Sequence, residues 1–247
     1  MAKISRTRLP ASPEARVRRG YFESRYGQLH VHHAMPPGGG FEEGTPLLCV
    51  HDLCGSGRAF ARFLALAGAE RSVYAPDLPG FGESDGPATR PALGDYAAAL
   101  ADFVDTMRLR KLAVLGLRGG ALLASELALT RPTQITRVIL VSVPLLSEAE
   151  QRSSVPAPAA TDEASRPAEW QRWAAEAAAH YPVRERLAKL TQRVLVLRPR
   201  DDLWEATGRV REILPGARLM ELELPAGQVL AGAPQPLADA VRAFLST

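Results

Sequence analysis

The sequence predicts an α/β domain, a mostly parallel central sheet with helices on both faces and a short lid, on three observations. Six apolar runs of strand length alternate with stretches of helical periodicity. The runs are apolar on both faces, as strands are when covered above and below. A length of 247 residues, 46% hydrophobic, suffices for one large core.

Taken in order, residues 1–19 read as a basic, disordered tail that lacks the apolar stretch of a secretory signal. A single domain then spans 20–247. Residues 20–34 alternate about Tyr26-Gly27-Gln28, the pattern of a β-hairpin, and Pro36 to Gly40 breaks the chain. Strands follow at 47–50, 72–75, 112–115, 138–142, 194–197 and 219–224. Helical patterns lie near 58–67, 94–107, 119–130, 168–180, 203–213 and 234–245. Between two strands, 145–190 forms the lid insertion. Within it, 151–167 is rich in Ser, Ala and Pro and reads as a flexible linker. Trp170, Trp173, Ala174 and Ala177 share one face of the helix that follows, placed either to roof a pocket or to pack on the core. Right-handed crossovers put the loops after the strands along one carboxyl edge, where such sheets bind ligands.

Composition narrows the function classes. The net charge of +3 and pI near 9.1 come from Arg and Lys scattered among nearly as many acids, so no nucleic-acid partner is expected. No apolar run approaches the ~18 residues of a membrane span. Cys49 and Cys54 are too close along an extended chain for a comfortable bridge, which points to free thiols and a reducing cytoplasm. His30 and His32 share a hairpin face, with His33 on the other, but no further ligand is evident, so neither metal nor cofactor is expected.

Four segments carry chemistry. Gly116-Leu117-Arg118-Gly119-Gly120 has the frame of a G-x-S-x-G elbow, a strained strand-to-helix turn, with arginine at its apex. His51-Asp52-Leu53-Cys54-Gly55-Ser56 follows one predicted strand and Ala75-Pro76-Asp77-Leu78-Pro79-Gly80-Phe81-Gly82-Glu83-Ser84 the next. Val194 to Asp202 forms a strand ending in two acids. In order and spacing these resemble the α/β-hydrolase superfamily, from about Gly20 to the C-terminus: an H-G-x-x-G-S oxyanion loop, a D-x-P-G-x-G-x-S loop, the elbow and the acid-bearing strand.

The resemblance implies a triad in the order nucleophile, acid, histidine. Arg118, Asp202 and Gln228 occupy those places, so two of three members are replaced. All five histidines, His30, His32, His33, His51 and His180, precede Asp202. A guanidinium has no lone pair for attack, and a glutamine amide cannot shuttle protons. Ser125 and Ser142 offer hydroxyls but no evident base. Asp52 stands where relatives carry glycine and brings charge to a loop that stabilises an oxyanion. His51 is expected to brace that loop.

The candidate pocket comprises His51, Asp52, Leu53, Cys54, Arg118, Gly119, Trp170, Trp173, Asp202 and Gln228. Three arrangements are open. Arg118 pairs with Asp202, with Gln228 completing the hydrogen bonds; or Arg118 holds a carboxylate or phosphate beneath the tryptophans; or Cys54 acts as a thiol nucleophile beside His51 and Asp52. The expected function is a non-hydrolytic pseudoenzyme that binds a small-molecule ligand or a protein partner. The alternative is an atypical enzyme of this family acting on a small organic, even anionic, substrate without a serine nucleophile.

Overall fold

The computed structural model describes residues 14–36, 44–147, 150, 168–223, 229–230 and 234–246. Most of the expected tail, the linker at 151–167 and Gln228 lie outside these. Within 14–19, expected to belong to the tail, Ala15 is buried with its N–H donating to Ala65 O at 2.8 Å, and β1 already begins at Arg18.

Strands β1 (Arg18–Ser24) and β2 (Gly27–Ala34) form the expected hairpin, paired antiparallel. The tight turn falls at Arg25 and Tyr26, and Gly27 supplies the positive φ of +100° that starts the return strand. Then follow β3 (Leu47–Val50), a 3-10 turn (Gly57–Phe60), α1 (Ala61–Ala67), β4 (Val73–Pro76), α2 (Leu93–Thr106), β5 (Leu112–Leu117), α3 (Gly119–Thr130) and β6 (Ile135–Val141). Beyond the lid segment come α4 (Ala168–Ala179), α5 (Val183–Leu187), β7 (Arg193–Pro199), α6 (Trp204–Gly208), α7 (Val210–Ile213), β8 (Arg218–Leu222) and α8 (Pro234–Leu245).

The eight strands form one sheet in the order β1-β2-β4-β3-β5-β6-β7-β8. It is antiparallel through β1, β2 and β4 and parallel from β4 onward. One face is covered by α2, α3 and the lid helices, the other by α1 and α8. Helix α3 is buried from Gly119 to Ala128, because both the sheet and α2 pack on it. An apolar composition on every side suits that position.

Three local departures have physical causes. The pattern near 203–213 reads as one helix but divides into α6 and α7 at Gly208, whose missing side chain leaves room for Arg198; a Cβ there would lie 2.8 Å from Nη2. Helix α5 lies beyond the pattern expected at 168–180, and Pro182, its N-cap, separates it from α4. Strand β6 ends at Val141 rather than at 142, since Ser142 turns to φ +53°.

Candidate functional site

Arg118 closes β5 and opens α3 with φ 54° and ψ −118°, the strained conformation its motif predicts. Such a residue costs about 1–3 kcal/mol, which the surrounding packing must hold. The packing is unforgiving: a Cβ on Gly116 would lie 2.3 Å from Gly120 O, and one on Gly120 would lie 2.3 Å from Val50 O. The backbone of β3 and the start of α3 therefore lock the turn.

The guanidinium projects over the carboxyl edge into three aspartates. Its Nη1 and Nη2 donate to Asp202 Oδ1 and Oδ2, both at 2.8 Å, a two-pronged fork. Nε faces Asp52 Oδ2 at 3.2 Å, and Nη1 lies 3.7 Å from Asp201 Oδ2. The hydrogen bond to Asp202, opposed by burial and helped by the other carboxylates, raises the Arg118 pKa further. In return, that bond lowers the Asp202 carboxyl below its ordinary value despite partial burial. The expected pairing of Arg118 with Asp202 is present; Gln228, the third member, is outside the described residues.

Asp52 has a second role. Its Oδ1 accepts the N–H of Leu53 at 2.8 Å and the N–H of Gly119 at 3.0 Å. Those are an amide from the loop after β3 and the amide following the elbow apex, the two donors of an oxyanion hole in this architecture. The carboxylate oxygen of Asp52 thus sits where a reacting oxyanion would sit, at the N-terminus of α3 that favours negative charge. The donor geometry is preserved, and the chain itself fills it.

Sequence reasoning missed Asp201. It is buried, accepts the Ser142 hydroxyl at 2.6 Å and the Leu203 N–H at 3.0 Å, and so faces inward while Asp202 faces outward. Both acids lie beyond the end of β7 at Pro199, where the sequence does not say which of the two turns inward. Ser142, expected to have no evident base, donates to this buried carboxylate of Asp201.

The thiol arrangement is not assembled. Leu78 N–H donates to His51 Nε2 at 2.9 Å, and His51 Nδ1 faces Asp52 O at 2.6 Å, so the ring is a neutral tautomer with both nitrogens engaged. It braces the loop, as expected of it, and has no lone pair left to act as a base. Cys54 is exposed, and desolvation, then the Asp52 carboxylate, raises its pKa against a smaller lowering by Arg118. That disfavours the thiolate. Cys49 is a buried free thiol.

Of its two readings, Trp170 takes the packing one. Its indole lies against Gly80 and Gly86, where a Cβ would come within 2.9 and 2.3 Å of the ring, and its Nε1 donates to Pro87 O at 3.1 Å. It seals the loop after β4 rather than Arg118, and Trp173 is half-buried on the same helix. Helix α5 is docked by the buried Glu126, which accepts from Tyr181 Oη at 2.8 Å and from Arg186 Nε and Nη2 at 2.9 and 2.6 Å. Beside this junction a cavity of about 550 Å³ opens, lined by Arg90, Leu93, Glu126, Glu176, His180 and Arg186 among others; Arg118 is not part of its lining.

A family model described as the alpha/beta hydrolase fold matches residues 45–216. The chain belongs to the α/β-hydrolase family. Comparison with curated protein sequences returns no match. Among solved structures it resembles a hydrolase from Pseudomonas aeruginosa PA01 (18% identity, TM-score 0.77, 93% of this chain and 98% of that one). It also resembles a thermophilic esterase from Thermogutta terrifontis (18%, 0.76, 93% and 98%) and the thioesterase domain from the curacin biosynthetic pathway (18%, 0.69, 94% and 100%). At such identities the likeness establishes the fold. No helix among the described residues is long and apolar enough to cross a membrane.

Proposed function

We propose that this α/β-hydrolase family member is a non-hydrolytic pseudoenzyme that binds a small molecule or a protein partner. One observation carries the reading: the apex of the elbow bears a guanidinium clamped by Asp202 and Asp52, while Asp52 occupies the two amides an oxyanion needs. Neither attack nor oxyanion stabilisation is available to an ester in that state. The alternative is an atypical enzyme for a small organic substrate, and the charge balance weakens only its anionic version. One guanidinium faces Asp52, Asp201 and Asp202, so the corner is net negative and favours a neutral or cationic guest. Two free thiols support a reducing compartment such as the cytoplasm.

The test is direct. The purified chain is incubated with a fluorophosphonate probe and a panel of p-nitrophenyl esters. No adduct and no hydrolysis above the buffer rate are expected; a covalent adduct in this corner refutes the proposal.

A further inference from the structure

On the opposite flank of the sheet, β2 carries His30 and His32 two residues apart, hence on one face of the strand. Sequence reasoning found no third ligand for them. The fold supplies one, because β2 pairs with β4 and the loop leaving β4 turns Asp77 under His30. A ring nitrogen of each histidine and a carboxylate oxygen of Asp77 lie within 4.8 Å of one another, and all three residues are buried.

The individual groups are prepared for a cation. His30 Nδ1 and Asp77 Oδ2 lie 2.9 Å apart across a shared proton, a spacing that suits two donors on one ion, and a cation bound between them displaces that proton. The Asp77 carboxylate also accepts Gly57 N–H at 2.6 Å and Glu83 N–H at 2.9 Å, so three of its roughly four lone-pair directions are used and one remains. Among the described residues the His32 ring takes part in no hydrogen bond or ion pair. It is 8% exposed, and its contact is an edge-on stack against His30 at 4.7 Å between centroids. Burial, then the neighbouring His30, lowers its pKa, so it presents a neutral nitrogen near neutral pH. Nearby charges are mixed: Arg19 stands across from His32 in the hairpin register, and Glu83, bonded to Tyr21 Oη at 2.8 Å, sits beside His30.

We infer that His30, His32 and Asp77 form a binding site for a borderline divalent transition-metal ion, with zinc as the type. Two imidazoles and one carboxylate suit zinc over magnesium or calcium, which prefer oxygen donors. Such an ion ties the leading hairpin to the loop after β4, the loop that also holds His51 through Leu78 N–H.

The full chain, stripped with a chelator, is titrated with zinc chloride by calorimetry, and its melting temperature is followed. One equivalent bound and a rise in Tm of several degrees are expected. His32→Ala and the more conservative His32→Gln should each weaken zinc at least about tenfold. His180→Ala, at an exposed histidine elsewhere, should bind as the wild type does. The cobalt(II) form of the wild type should show the visible ligand-field bands of a low-coordinate nitrogen and oxygen site, lost in the His32 variants. A wild-type Tm unmoved by zinc overturns the assignment. So does wild-type affinity in either folded His32 variant.

Discussion

Replacing Arg118 by methionine removes the charge while keeping a long side chain and the same positive φ. Three carboxylates then face one another without their common cation. The fork to Asp202 is partly exposed, at 32% for Arg118 and 70% for Asp202, so it is valued near the surface-pair figure of about 1 kcal/mol. Asp52 loses its partner at 3.2 Å but keeps the two amides, and the buried Asp201 loses a cation at 3.7 Å. The expected total is about 2–3 kcal/mol at neutral pH, or roughly 5–10 °C in Tm for a domain of this size. The pH dependence separates this electrostatic account from a simple packing loss. The Asp202 carboxyl is held lower in the folded chain than in the unfolded chain. Its contribution is therefore complete above the unfolded pKa of about 4 and fades as pH falls through the depressed folded value. Differential scanning calorimetry of both proteins, from neutrality into acid, should show a gap that is wide near neutral pH and narrows in acid. A variant melting within about 1 °C of wild type at neutrality, or a gap that widens in acid, refutes the reasoning.

Two further outcomes follow from Asp52. The double variant Arg118→Ser, Gln228→His should remain nearly inactive on p-nitrophenyl acetate, because Asp52 still occupies the Leu53 and Gly119 amides. Adding Asp52→Gly should raise the rate about 100-fold or more, the scale of an oxyanion donor, and equal rates would sink the idea. Cys54 should be alkylated by iodoacetamide more slowly than free cysteine at mildly alkaline pH. Asp52→Asn should speed the reaction and Arg118→Met slow it, since the carboxylate raises and the guanidinium lowers the thiol pKa; the opposite order would count against the described environment.

Much of the architecture was legible because it is written in local periodicity. The apolar runs at 47–50 and 112–115 and the helical pattern at 119–130 needed nothing beyond their own neighbours. The elbow was legible from its glycines, and the pairing of Arg118 with Asp202 from chain order and the reach of a guanidinium. What stayed hidden depends on how separate loops meet. Asp52 on the Gly119 amide joins residues 67 apart, and Ser142 on Asp201 joins residues 59 apart. Asp77 reaches His30 across 47 residues because β4 lies beside β2. No window along the sequence contains both members of any of these pairs. Which of its two readings Trp170 would take stayed hidden for the same reason: its flat bed is made by Gly80 and Gly86, whose lack of side chains is visible in sequence but whose proximity is not.

The tense backbone at Arg118 is maintained by tight glycine contacts with β3 and α3, independent of which side chain stands at the apex. Its upkeep is thus a property of the scaffold, charged to every descendant whether or not chemistry is performed there. A scaffold of this kind can exchange the occupant of the crown without rebuilding the frame beneath it, although reactivity would also need the positions of Asp52 and Gln228 to change.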